Sequence, residues 1–595
     1  MKTETRNCQN CKQEFVIESE DFAFYEKIGV PPPTWCPECR VIRRFLFRNE
    51  RTWYRRTCDA TKKPILSMFA PDAPFTVYEL NYWRSDAWNP LSYGREADFS
   101  RPFLAQWNDL FHAIPEPNLA QKNTVNSDYS NYVLNLKNCY FVASNDTAED
   151  CAYTYTFVLN ARNCLDAHIS QNIEWSYEIV DCYKSNNLRF CQSCEGCADS
   201  WLLYDCRNCS NCTGCVGLRS KQYCFFNEQC SREEYFEKIK GLDLGSYTGF
   251  QIAHTRFEEL KLRVPRKFAA IIQSQNAVGD DIQYSRDVSG FVIRSNSEHV
   301  RYSYRVSDSK DIWDSFVAWN GSELQYEAMA CSGQRIFCSA LIYGGADVSY
   351  SYNCFDCQNV FGCVGLRNKQ YCILNKQYSK EEYLALTRKI IIHMNEMPYR
   401  DARKLIYGYG EFFPPEFAPF AYNETIAQDY YPSKEERVSR FGYRWRNKDE
   451  RDYKVTMEPS SLPDHIKDVQ DGILNETIAC AHAETDCGEQ CATAFKMVPM
   501  ELQFYRKTGV PLPRLCPSCR HYGRVKLKNP LRLWYRSCQC AGKTSVSQPT
   551  ANRQYANTVV HSHGENHCPN EFETSYPPER PEIVYCEQCY NAEVA

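Results

Sequence analysis

The segment Cys363–Tyr383, CVGLRNKQYCILNKQYSKEEY, repeats Cys215–Tyr235, CVGLRSKQYCFFNEQCSREEY, written earlier in the chain at a shift of 148. The two cysteines that the copies share stay in place. Such a pair suits a metal site, a disulfide, catalysis or plain packing, so its surroundings must decide. Each copy runs into Ser-x-x-Glu (Ser231–Glu234 and Ser379–Glu382), the capping box that opens a helix. Upstream, between 125 and 385, short phrases recur: LKNCYFVAS, ARNCLDAHIS and CRNCSNCTGCVGLR, then SGFVIRSNS, KDIWDSFVAWNG and CQNVFGCVGLRNKQYC. Each is an Asn/Asp-rich turn followed by a short Tyr/Val/Phe run, at roughly 11–13-residue spacing, which predicts strands between regular turns. Repetition this short predicts stacked coils that bury one another's faces. Two phrases per turn predict a parallel β-helix with coils of roughly 22–25 residues, with Asn138, Asn163 and Asn208 stacked at the turns. The doubled phrase then closes a repeated domain, and the helix after it covers an edge that would otherwise recruit strands.

The two ends of the chain also copy each other, at a shift of 480. CQNCKQEFVIESEDFAFYEKIGVPPPTWCPECR opens the sequence, and CGEQCATAFKMVPMELQFYRKTGVPLPRLCPSCR stands near its end. The first offers Cys8, Cys11, Cys36 and Cys39; paired CxxC knuckles at this spacing aim four thiolates at one tetrahedral zinc. The second offers Cys487, Cys491, Cys516 and Cys519, but its leading knuckle is Cys-x3-Cys, so Cys480 or His482 can stand in for Cys487. With CxxC, an aromatic stretch, Phe-Tyr-x-x-x-Gly and CPxCR, each end resembles the zinc-ribbon (treble-clef-like) family over the stretch quoted. The resemblance implies a zinc-bound module and no activity. The middle looks like a cysteine-rich β-solenoid.

The likeness of the ends continues. RNERTWYRRTC (Arg48–Cys58) matches KNPLRLWYRSC (Lys528–Cys538), and MFAPDAPFTVYELNYW matches SYPPERPEIVYCEQCY. The later copy gains Cys538, Cys540, Cys586 and Cys589, read as a third zinc. In the earlier copy Glu79 and Tyr82 take the last two places, which predicts a metal-free counterpart. His561, His563, His567 and Cys568 lie near enough to supply or replace a ligand, ranked below the cysteines. Three structural zinc sites are expected, and none is catalytic, since four thiolates leave no open position. The run Cys191–Cys215 has iron–sulfur-like spacing. Its second copy replaces Cys212 by Val360, a packing substitution, so buried thiols are the preferred reading.

Basic aromatic segments follow each ribbon. Arg40, Arg43, Arg44, Arg48, Trp53, Tyr54 and Arg55 in the first, and Arg520, Arg524, Lys526, Trp534 and Tyr535 in the second, combine phosphate forks with stacking platforms. They suggest nucleic acid, RNA favoured over DNA. The competing reading is a basic helix packed on the ribbon and paired with acidic loops, which the net charge of −5 supports. A carbohydrate-active lyase or hydrolase on the β-helix would draw on Asp280, Asp281, Asp308, Asp311 and Asp314, all in turn contexts. A purely structural protein–protein scaffold is the third option. With 34 cysteines, no charged-then-apolar leader and no apolar run of membrane length, a cytoplasmic, reduced location without membrane contact is expected.

The expected organisation is mainly β. A zinc ribbon with basic extension spans 1–60, and a metal-free counterpart with linker 61–120. Two β-solenoid units with cap helices span 121–245 and 246–400, a Tyr/Pro-rich linker 401–465, and a second zinc module with the additional site 466–595.

Overall fold

The computed structural model describes residues 3–447, 454–485, 487, 490–547 and 553–594. The chain divides into two compact units, each assembled from two separated stretches: 1–119 with 269–447, and 120–268 with 448–595. The N-terminal cysteine module therefore shares a unit with the later repeat region, and the C-terminal module with the earlier one.

Both units are built on a large parallel sheet. In the 120–268/448–595 unit nine strands begin with Gln121–Val125, Val133–Lys137 and Ala143–Glu149 and reach Ala198–Trp201. In the other unit ten strands run in sequence order from Ile271–Ile272 to Lys376–Gln377. Registers such as Gln121↔Val133, Leu134↔Asp146 and Gln358↔Gln370 pair each strand with the phrase that follows it. The repeating step is thus a single phrase of the sequence, where two phrases per turn were expected.

Backbone conformation accounts for the short step. Residues 135, 138, 141, 144, 147 and 150 all have φ between 52° and 57°, a left-handed corner at every third position. The residue after each corner points inward, as Leu136, Cys139, Val142, Ala148 and Cys151 do. The inward period is therefore three, where the Tyr/Val/Phe runs suggested two. Inward side chains at this period enclose a narrow interior, which Cys, Ala, Val, Leu and Ile fill. Asn and Asp tolerate left-handed φ best, which explains their recurrence at the corners. They also bond from one phrase to the next: Asn126 Nδ2 donates to Asn138 Oδ1 at 3.3 Å, and Asn138 Nδ2 to Asp150 Oδ1 at 3.1 Å.

Most cysteines of the repeats belong to these interiors. Cys139 and Cys164 donate S–H to the carbonyls of Lys137 (3.3 Å) and Arg162 (3.1 Å). Burial pushes the Cys151 and Cys206 thiols well up, so they stay protonated. Among the described residues, no cysteine of the 191–215 run joins a metal-sized ligand group.

The doubled phrase closes each sheet. Strand Cys224–Phe225 turns back on Glu228–Gln229, and Gln370–Ile373 on Lys376–Gln377, both antiparallel. The turns, Phe226-Asn227 and Leu374-Asn375, have both φ values positive, as a type I′ hairpin demands. Each turn Asn then behaves like one more peptide group. Asn227 Oδ1 accepts from Val216 N (2.8 Å) and its Nδ2 donates to Val216 O (2.9 Å); Asn375 does the same to Val364, both at 2.8 Å. Both capping boxes form, Ser231 with Glu234 and Ser379 with Glu382. Asn375 is fully buried whereas Asn227 is exposed. Asn375→Ala is therefore expected to cost about 2–3 kcal/mol by leaving two buried peptide groups unpaired, against about 1 kcal/mol for Asn227→Ala, where water replaces the amide. Chemical denaturation of the two variants checks the difference.

Candidate metal centres and the basic helices

The N-terminal module is held at one point by a knuckle and a helix. Strand Glu4–Asn7 leads to Cys8, Lys12 takes a left-handed φ of 65°, and Cys36 is the N-cap of helix Pro37–Phe45. Cys8, Cys11, Cys36 and Cys39 have all four sulfurs within 4.8 Å of one another. Cys11 and Cys36 are 3.7 Å apart, far beyond the ~2.05 Å of a disulfide and close to the ~3.8 Å edge of a tetrahedron with zinc–sulfur bonds of ~2.3 Å. Asn10 Nδ2 donates to Cys39 Sγ at 3.3 Å, and hydrogen bonds from Cys36 and Cys39 hold the Cys8 thiol far below its ordinary range. A sulfur set this tight, with an N–H donor aimed at it, fits a closed tetrahedral Zn²⁺ site.

The second cysteine module differs from expectation at one candidate ligand. Its tetrad is Cys480, Cys491, Cys516 and Cys519, with sulfur separations of 3.8 Å (Cys480–Cys519) and 3.9 Å (Cys491–Cys516). Cys516 N donates to Cys480 Sγ at 3.2 Å, and Cys516 again caps a helix, Pro517–Lys526. Cys487 lies outside the tetrad, grouped with His482 and Cys519. The reason is positional: Cys8 directly follows a strand, and only Cys480, after Ile478–Ala479, repeats that placement. A longer loop between Cys480 and Cys491 breaks the CxxC spacing, while the strand-then-cysteine signal survives in the sequence.

The C-terminal segment is corrected too. Cys538, Cys568, Cys586 and Cys589, all buried, form one tetrad, with Cys568 and Cys586 sulfurs 3.9 Å apart. Cys540, placed in this set by spacing, instead joins His561, His563 and Cys589 in a fourth group. His567 is in neither; its Nδ1 meets the carbonyl of Cys568 at 2.8 Å. Four candidate metal groups of four ligands thus replace the three expected. The earlier copy shows what a single cysteine does in this frame. Cys58 Sγ accepts from Thr61 N (3.3 Å) and Glu79 N (3.2 Å), as Cys538 Sγ accepts from Cys586 N (3.2 Å). Glu79's carboxylate caps helix Leu80–Arg84 through Asn81 N and Tyr82 N, the place that Cys586 Sγ holds toward Cys589 N. The ligands that spacing mispositioned come from the hairpin loop, long between Trp534–Ser537 and Glu571–Thr574 but short between Tyr54–Thr57 and Pro64–Ser67. If four tetrads bind, metal analysis of the purified chain gives four zincs. Cys480→Ser then loses one, whereas Cys487→Ser keeps all four.

The arginines assigned to nucleic acid are for the most part inside the protein. Arg40 Nε reaches Asp314 Oδ1 at 2.8 Å, Arg43 binds Glu327 (2.7 Å) and Glu411 (2.9 Å), and Arg44 binds Glu327 at 2.6 Å. Arg48 pairs with Glu50 at 2.6 Å. All four arginines are buried. In the other unit Arg520 meets Asp166 (3.0 Å) and Glu501 (3.3 Å), and Arg524 meets Asp166 (2.8 Å) and Glu178 (2.9 Å). Arg520 and Asp166 are the duplicates of Arg40 and Asp314 under the two shifts, 480 and 148, so the same ion pair is made twice. Of the remaining candidates, Trp53, Tyr54 and Trp534 are half-buried, and only Arg55, Lys526 and Tyr535 are exposed. Six of these twelve side chains are spent inside because the helix that carries CPxCR also docks the module on the sheet.

The carboxylates considered for sugar chemistry are engaged likewise. Asp281 binds Arg294, Asp311 binds Lys27 and lies near His299, Asp314 binds Arg40, and Asp280 accepts from Ala270 N. Asp281, Asp308, Asp311 and Asp314 all sit at left-handed corners. No described helix is long and apolar enough to cross a membrane. Comparison with protein-family models finds no match, and comparison with curated proteins finds none either.

Proposed function

We propose that this protein is a non-enzymatic, zinc-stabilised scaffold. Each unit is a β-solenoid with one phrase of sequence per coil and a zinc module clamped on it, offering a rigid ladder of side chains to a macromolecular partner. The observation that carries this reading is the buried ion pair between ribbon helix and sheet, Arg40–Asp314 and Arg520–Asp166. It commits the modules' charge to holding the unit together. The closed four-ligand groups support it, since a tetrahedral shell of protein ligands leaves no position for substrate.

A protein assembly is the favoured partner over RNA or DNA, because six of the twelve residues proposed for nucleic acid are buried. Fluorescence anisotropy with single-stranded RNA and DNA tests this. At about 50 mM salt, where phosphate contacts are strong, little binding is expected. Binding that weakens steeply as salt rises would restore the nucleic-acid reading.

A further inference from the structure

Cys589 belongs to two ligand groups at once: one with Cys538, Cys568 and Cys586, the other with Cys540, His561 and His563. We propose that these seven residues hold a binuclear zinc centre in which the Cys589 thiolate bridges the two ions.

The histidines carry the argument, because the outer nitrogen of each already has an acceptor. His561 Nε2 lies 2.7 Å from Glu593 Oε1, and His563 Nδ1 lies 2.7 Å from the carbonyl oxygen of Asn566. Each outer nitrogen must therefore carry the proton, so the inner one of a neutral imidazole is a lone pair. Those lone pairs face sulfur: His561 Nδ1 is 3.2 Å from Cys540 Sγ, and His563 Nε2 is 3.3 Å from Cys589 Sγ. Cys589 as a zinc-bound thiolate has no proton to offer. A lone pair and a thiolate at that distance repel unless a cation lies between them, and a second Zn²⁺ is such a cation.

The surroundings are those of a built site. A metal-bound imidazole normally donates its other N–H to a carboxylate or carbonyl, which fixes the ring. Glu593, which accepts the His561 Nε2–H and is almost wholly buried, is itself held by Tyr555 Oη (2.7 Å), Thr558 N (2.9 Å) and Thr558 Oγ1 (2.7 Å). Asn557 Nδ2 donates to Cys540 Sγ at 3.2 Å, and Asn570 Nδ2 to Cys586 Sγ at 3.3 Å. Both groups thus have their own supporting donors. The electrostatics favour sharing as well: two Zn²⁺ ions against five thiolates leave one net negative charge. Two separate sites would each need a full set of their own ligands.

The test is ¹¹³Cd NMR of the full chain reconstituted with ¹¹³Cd²⁺, together with metal counting. Four cadmium ions per chain are expected, two of them showing mutual ¹¹³Cd–¹¹³Cd splitting through the shared sulfur. One of that pair should resonate upfield of the all-thiolate signals, because two of its donors are nitrogen. The His561→Ala/His563→Ala variant should lose that one ion and collapse its partner to an unsplit all-thiolate line. Four ions without splitting would overturn the bridge. Three ions in the unsubstituted protein would overturn the second site, leaving the histidines as imidazolium partners of thiolates. The wild-type spectrum alone decides between these outcomes, so poor folding of the variant does not blunt the test. The result is also independent of the docking role proposed for the scaffold.

Discussion

Removing the metals from the full chain under reducing conditions is expected to unfold both end modules while the two parallel sheets keep their strands. Structural zinc sites have apparent binding free energies of about 10–16 kcal/mol at neutral pH. A whole domain has a net stability of only about 5–15 kcal/mol. The modules have little else to rely on. In the N-terminal one, a short hairpin (Glu4–Asn7 with Glu14–Ile17) and the helices Ser19–Ile28 and Pro37–Phe45 surround the cysteines. Without the cation, four sulfurs packed within 4.8 Å must all be protonated or repel. Among the described residues the sheets hold no metal-sized ligand group, and their interiors are filled by thiols and apolar side chains. Hydrogen exchange after treatment with a strong chelator should show the amides of Pro37–Phe45 and Pro517–Lys526 losing protection first. Protection retained throughout 1–60 would sink the structural role of the zinc. Cys36→Ser should reproduce the loss in the first module alone, because Cys36 is both a candidate ligand and the helix N-cap. Acidification should do the same to both, as protonated ligands release the metal.

How far the sequence could be read depended on the range of the signal. Local spacing places all four candidate ligands of the first module, through CxxC and CPxC, and three of the second, Cys491, Cys516 and Cys519. The chain's short repeated phrases and Ser-x-x-Glu boxes are local too, and both are recovered in the fold. Two things escaped. The inward period of three is hidden because it depends on left-handed φ at residues such as Phe141 and Thr147, which no composition announces. The pairing of each ribbon with the sheet remote from it in sequence rests on contacts between distant positions, Arg40 with Asp314 and Arg520 with Asp166. Those contacts carry no local mark except an arginine and an aspartate that are each duplicated. Cys568, His561 and His563 were visible as a cluster, but a long hairpin loop hid which sulfur they accompany.

The largest single-residue effect is expected at the ribbon–sheet ion pairs. In the 1–119/269–447 unit, Arg40, Arg43 and Arg44 meet Asp314, Glu327 and Glu411, three cations against three anions, nearly all fully buried. Asp314→Ala leaves an uncompensated guanidinium in that space and should cost about 3–5 kcal/mol. Asp314→Leu combined with Arg40→Met removes both charges and should recover most of the loss, or exceed it. If the double variant is no better than the single one, the pair is not the clamp. The other unit is unbalanced: Arg520 and Arg524 face Asp166, Glu178 and Glu501. One carboxyl too many is relieved by a proton, and burial pushes Glu178 up from 4.5 to about 7, against the pull of Arg524. Glu501 is also raised by its burial. The folded protein keeps the Glu178 proton up to about pH 7, whereas the unfolded chain releases it near 4.5. This contribution is therefore whole below pH 4.5 and is lost as pH rises to about 7, a fall of about 3 kcal/mol at ~1.4 kcal/mol per unit. Exchange protection of helix Pro517–Lys526 in metal-loaded protein should fall over that window. Glu178→Gln should flatten the fall, while leaving protection of Pro37–Phe45 as it was.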